Sequence, residues 1–142
     1  MNAETIRHFV DTNVLIYAYD VSAGIKHQQA KELLSSLWED ENGCLSVQVL
    51  QEFYVVATKK MTRPLSPQMA SQIITDLSVW RIHAPQVHDV INAIDLQQRY
   101  QLSFWDAMIV NSALTLDCAI LWSEDLNHLQ TYQQVRVQNP FK

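Results

Sequence analysis

The sequence predicts an α/β fold: a three-layer α/β/α sandwich around a mostly parallel five-stranded sheet, forming a single domain over residues 1–142. Three observations point there. Short β-rich runs alternate with longer runs of helical period along the whole chain. Strands separated by helices pair in parallel, through right-handed crossovers, with helices on both faces. The 142 residues, 48% apolar and 18% charged with two Gly and four Pro, suffice for one core but not two, and exclude a disordered or collagen-like chain.

The elements follow in order. Residues 6–10 (Ile-Arg-His-Phe-Val) read as the first strand. Residues 25–41 read as a helix, with Ala30, Leu33, Leu34, Leu37 and Trp38 at helical spacing, stopped by Asn42-Gly43. Residues 44–47 form a short strand that runs at once into a helix ending near Lys60. Pro64 and Pro67 break the chain, and Ser66-Pro67 supplies an N-cap and first turn for a helix to about Val79. Residues 81–84 give a third strand, 87–100 a helix, and 103–116 another. Residues 118–122 are a continuous apolar strand, and 135–137 a late one.

Charge and composition narrow the function. The net charge of -5, from 15 acids against 10 bases, argues against nucleic-acid binding by bulk electrostatics. Such binding would need the acids gathered around cations or the positive charge brought by another chain. No apolar run approaches a bilayer span, and Met1–Arg7 lacks a basic region followed by an apolar one, so neither a membrane segment nor a secretory leader is expected. Cys44 and Cys118 sit in apolar surroundings and read as reduced core residues of a cytoplasmic protein.

The placement of the acids is more telling than their number. Strand one runs into Asp11-Thr12-Asn13 and strand four into Ser123-Glu124-Asp125. Sites in open α/β sheets form beyond the carboxyl ends of the strands, though such turns are also ordinary helix N-caps. Ser103-Phe104-Trp105-Asp106 matches a capping box. Helical spacing nevertheless puts Asp106 on one stripe with Ile109, Val110, Ala113 and Leu114. That points its carboxylate inward, where it needs a partner or a metal. Glu52 lies at the edge of the stripe Val49, Leu50, Phe53, Val56 and Ala57, and a helix-surface glutamate is its plain alternative.

Helices that follow parallel strands begin at the same edge where the strands end, so all four acids can converge. Two carboxylates about 4 Å apart repel by roughly 4 kcal/mol at an effective dielectric near 20. Four of them together call for a cation or bound protons, and an all-oxygen set suits Mg²⁺ or Mn²⁺. The five histidines show no zinc spacing and read as surface or packing residues. Lys59, Lys60 and Arg63, with Arg99, are candidate phosphate contacts. Trp105 reads as core or dimer packing, with base stacking as the alternative.

With these segments in view, the sequence resembles PIN domains, and among them the bacterial VapC-type toxin ribonucleases. The resemblance rests on Phe9-Val10-Asp11-Thr12-Asn13-Val14-Leu15-Ile16-Tyr17-Ala18-Tyr19-Asp20, Gln51-Glu52-Phe53, Ser103-Phe104-Trp105-Asp106-Ala107-Met108-Ile109 and Ile120-Leu121-Trp122-Ser123-Glu124-Asp125-Leu126. Together they span about residues 7–138. The resemblance implies four catalytic, metal-binding acids, Asp11, Glu52, Asp106 and Asp125. It also implies a supporting hydroxyl at Ser123 and a polar residue, Asn13, at the border of the site. Either Glu124 or Asp125 can reach the metal; Asp125 matches the family position.

The activity so implied is a Mg²⁺- or Mn²⁺-dependent endoribonuclease, the homodimeric toxin of a toxin–antitoxin pair. Its cognate antitoxin would bind over the groove near the site and repress the shared operon with it. Leu33, Leu37, Trp38, Phe53 and Tyr54 are expected to border that groove, with a core role as the alternative.

Two other classes compete. A phosphoacceptor domain would use an Asp after strand one with a lysine after a later strand, but no lysine occurs between Lys60 and Lys142. A catalytically inactive binding module on the same fold would be expected to have lost an acid, and all four are present.

Overall fold

The computed structural model describes residues 6–142; the leader reading over Met1–Arg7 falls mostly outside them. Strand β1 (His8–Val10) leads into helix α1 (Thr12–Tyr19), a 3-10 turn (Val21–Ala23), α2 (Ile25–Asp40), β2 (Gly43–Ser46) and α3 (Val47–Lys59). Then come α4 (Pro67–Leu77), β3 (Arg81–His83), α5 (Val87–Tyr100), α6 (Phe104–Thr115), β4 (Ile120–Trp122), β5 (Thr131–Tyr132) and β6 (Val135–Gln138).

The sheet order is β3-β2-β1-β4-β6-β5, parallel throughout except for the antiparallel β5–β6 pair. Phe9 of β1 faces Cys44 on one side and Leu121 on the other. From β1 the chain builds outward to β2 and β3, then returns to add β4 on the opposite side. The order therefore reverses between β1 and β4, the topological switch point at which open α/β sheets form their crevice.

Two elements depart from the sequence expectation. The sheet has six strands, not five. The extra one, β5, is two residues long, too short to show alternation, and its hairpin turns through Gln133 at φ 53° without the usual Asn-Gly signal. Helix α1 is also unannounced. Its residues Val14 to Tyr19 form an unbroken apolar run with no polar face, and periodicity cannot tell such a run from a buried strand.

Other boundaries follow local chemistry. Ser46, Ser66 and Ser103 cap α3, α4 and α6 through their hydroxyls, each worth about 1 kcal/mol. Helix α2 ends on Glu41 in the left-handed region, at φ 56°. Gly43 belongs to β2, and its role is close approach. A Cβ there would come within 2.4 Å of the Trp80 ring.

The core is one cluster that includes Phe9, Leu45 and Leu121 from the sheet and Leu15, Leu34 and Phe53 from the helices. Helix α1 packs on α2 and α3, and α3 on α4. Helix α6 lies against β2, β4 and β6 with α5 beside it. Cys44 and Cys118 are buried and unbridged. Among the described residues, no helix is long and apolar enough to cross a membrane.

Helix α6 corrects the stripe expected for Asp106. Every residue from Ala107 to Ala113 is buried, so the helix is central and has no polar face. Its polar side chains are satisfied internally. Ser112 Oγ lies 2.8 Å from His83 Nδ1, and Asn111 donates to Asp89 at 2.9 Å. Asp106 is half-buried because it sits on the first turn, where α6 emerges at the crevice.

Candidate active site

Asp11 is the residue that follows β1 and caps α1. Its Oδ1 accepts the Thr12 N–H at 2.7 Å, and its Oδ2 accepts the Ser123 hydroxyl at 2.8 Å. That hydroxyl in turn accepts the N–H groups of Asp125 and Leu126, at 3.2 and 3.3 Å. Ser123 thus fixes the Asp11 carboxylate and the turn after β4 at once. Asp11 is buried, and burial pushes its carboxyl up to about 7. The bonds from Ser123 and Thr12 oppose that rise, and the charges of Asp106 and Asp125 add to it.

Asn13, in the first turn of α1, spans the crevice. Its Nδ2 donates to Asp125 Oδ2 at 3.0 Å and to Asp11 Oδ2 at 3.4 Å, and its Oδ1 accepts the Glu124 N–H at 3.1 Å. The neighbouring acids separate clearly. Glu124 accepts the Tyr17 hydroxyl at 3.0 Å and pairs with Lys26, whereas Asp125 is exposed and lines the cavity.

Glu52 comes from the second turn of α3. Its Oε1 accepts the Thr12 hydroxyl at 2.6 Å, and its Oε2 lies 3.5 Å from Gln48 Nε2. The same Gln48 amide donates to the Trp105 carbonyl at 3.3 Å, which ties α3 to the start of α6. The capping-box alternative for Asp106 is half met: its N–H is capped by Ser103 at 3.1 Å. Its carboxylate takes no hydrogen bond from any described residue and stays available to the cavity.

Asp11, Glu52, Asp106 and Asp125 line one cavity of about 680 Å³, bounded by α1, α3 and the first turn of α6. Among the expected cations, Lys60 lines it, while Arg99 is paired with Asp95 at 3.2 Å on α5. The expected antitoxin-groove set does not form one surface. Leu37 and Phe53 are core, and Trp38 borders a different cavity with Trp80. The core reading of Trp105 fails, since the residue is 62% exposed.

Thr12 and Gln48 belong to the site and were not singled out from the sequence. Gln48 could have been found, because it lies four residues before Glu52 and so on the same helix face. Thr12 sits between two residues already marked.

The family model for the PIN domain matches residues 8–133. Among curated proteins none matches the chain in sequence. Among solved structures, a toxin–antitoxin complex from Klebsiella pneumoniae is similar, with 21% identity and a TM-score of 0.70. The match covers 95% of this chain and 98% of that one. A DNA-bound VapBC from Salmonella typhimurium has 15% identity and a TM-score of 0.66, covering 96% and 99%. Mycobacterium tuberculosis VapC20, described as a sarcin-ricin loop cleaving toxin, has 19% identity and a TM-score of 0.64, covering 83% and 91%. At these identities the likeness is one of fold.

Proposed function

The chain belongs to the PIN domain family, and from that premise we propose that it is a metal-dependent endoribonuclease, the toxin of a toxin–antitoxin pair. The observation that carries the proposal is the gathering of four carboxylates around one cavity at the switch point of the sheet, one of them buried.

The donor chemistry fits a hard divalent cation. Asp11 is held by two strong donors yet remains hard to ionise, and a cation would relieve both its burial and the charges of Asp106 and Asp125. Among the described residues, no three His, Cys, Asp or Glu side chains stand close enough to chelate an ion directly. Asp11, Glu52, Asp106 and Asp125, which line one cavity, are the carboxylates that would hold Mg²⁺ or Mn²⁺. When bound, it supplies the charge that activates water and stabilises the leaving oxygen of a phosphodiester.

The chain's own residues prepare that chemistry. Ser123 and Thr12 fix the orientation of Asp11, and Asn13 sets the separation of Asp11 from Asp125. Thr12 and Gln48 hold Glu52 at the cavity wall, and the Asp106 carboxylate has no hydrogen-bond partner among the described residues. Such outer contacts matter as much as the ligands for orienting a metal site.

The partner is proposed to be a small antitoxin protein that covers the cavity; the similar structure from Klebsiella pneumoniae is a toxin–antitoxin complex. A cytoplasmic homodimer is proposed with it, supported by the apolar stripe Val87, Ile91 and Ile94 that α5 leaves exposed. The direct test is cleavage of an RNA pool by the purified protein in Mn²⁺, with loss of cleavage in EDTA and in Asp106→Asn.

A further inference from the structure

We infer that Trp105 is a stacking platform for one unpaired base of the substrate, and that Lys60 holds a phosphate of the same strand at the far end of the cavity. The inference rests on the nuclease reading of the site and adds to it two residues that would position the RNA strand.

Trp105 is the residue before Asp106, on the free first turn of α6, and it shares the cavity lining with the four acids. It is 62% exposed in a chain whose other large aromatic rings are mostly drawn into the core. Two contacts hold it in place. Its carbonyl accepts from Gln48 at 3.3 Å, and Phe104 meets its ring edge-on at 5.1 Å. A positioned, solvent-facing indole beside the carboxylates offers a π-face to a base whose phosphate lies among those acids.

Lys60 completes the track. It lies eight residues beyond Glu52, about 12 Å along the helix axis, and among the described residues it is the one cation lining this cavity. The wall between them is apolar, with Ile16, Val55 and Val56, which suits sugar and base rather than a row of phosphates. One lysine and a net charge of -5 leave little to grip a duplex backbone. Binding must come from stacking and the metal site, with weak dependence on salt. An unpaired strand can present an unstacked base, and a duplex cannot.

The test uses the full chain with a fluorescent, unstructured oligoribonucleotide and the same sequence closed into a hairpin duplex. KM is measured in Mn²⁺, and quenching of tryptophan fluorescence by unlabelled oligomer is measured in EDTA. Trp105→Leu is expected to raise KM for the open strand about tenfold, while Trp105→Phe, which keeps a π-face, stays within about threefold of wild type. Quenching by the open strand should be seen in wild type, be lost in Trp105→Phe, and be absent with the duplex. Lys60→Gln should lower the slope of log affinity against log salt by about 0.7.

If the Leu variant does not fold, the quenching difference between wild type and Trp105→Phe decides. Cleavage by wild type with an unchanged KM in Trp105→Leu would overturn the stacking role and leave the nuclease standing. The same would follow if Trp105→Leu cleaved normally but lost self-association or antitoxin binding, which would make the indole a protein contact. If wild type cleaved no RNA at all, both would fall.

Discussion

Asn13 and Asp125 lie 112 residues apart in sequence, and the amide of one donates to the carboxylate of the other at 3.0 Å. The bond closes the crevice between β1 and β4, and the same amide reaches Asp11 at 3.4 Å. Asn13 therefore fixes how far apart two acids stand. Asn13→Ala should lower cleavage about 10–100-fold, the usual cost of losing an orienting contact at a metal site. It should also raise the Mn²⁺ concentration needed for half-maximal rate. Initial rates across a Mn²⁺ titration check this, and a variant with wild-type rate and Mn²⁺ requirement would remove Asn13 from the site.

Asp106 separates a catalytic acid from a helix cap. Ser103 caps α6 whichever residue stands at 106, and the Asp106 carboxylate has no partner among the described residues. Asp106→Asn should abolish cleavage by more than a hundredfold while changing stability by less than about 0.5 kcal/mol. Thermal melts and RNA cleavage measured side by side give the answer. A folded Asn variant that cleaves normally would leave only a structural role.

Asp11 gives the metal-free protein a pH dependence of definite sign. Its folded carboxyl stands near 7 against 3.8 for the unfolded chain. As pH rises from about 4 to about 7, the unfolded state releases its proton first and is favoured. Stability from this group is therefore complete below about 4 and lost by about 7, at up to roughly 1.4 kcal/mol per pH unit. The difference in melting temperature between wild type and Asp11→Asn in EDTA isolates the effect from other carboxylates. It should shift against wild type across that window, and Mn²⁺ should flatten it. A difference that is constant with pH would mean that Asp11 ionises freely without a cation.

Glu124 and Asp125 are adjacent but have different tasks. Glu124 does not line the cavity and is engaged by Tyr17 and Lys26, so Glu124→Gln should keep its Mn²⁺ response and cleave within about threefold of wild type. Asp125→Asn should lose both. Metal-dependent rates of the two variants settle the order, and a reversal would mean that the turn after β4 presents the other acid.

Much of this site could be read from the sequence because its acids sit where chain direction alone puts them. Asp11 and Asp125 leave the ends of apolar strands, and Asp106 and Glu52 lie in the early turns of helices. Topology then brings those positions to one edge. What could not be read is how the side chains are held. The Thr12–Glu52 and Asn13–Asp125 bonds join residues 40 and 112 apart, and no local pattern encodes such pairs. The stripe argued for Asp106 failed for a related reason. A helix buried on all sides has no amphipathic signature, so its period says nothing of where one carboxylate points. Helix α1 and strand β5 were missed because the first is apolar throughout and the second is two residues long.

The most direct measurement is a thermal melt of the metal-free protein with and without millimolar Mn²⁺. An ion held only by the folded acids stabilises by about 2.7 kcal/mol at a hundredfold excess over Kd, roughly 9 °C for a chain of this length. The expected result is a rise of that order, reversed by EDTA together with cleavage, blunted in Asp11→Asn and Asp125→Asn, and intact in Glu39→Gln on α2. A melting temperature unmoved by Mn²⁺, with RNA cleavage persisting in EDTA, would contradict the assignment of the four acids to a metal site.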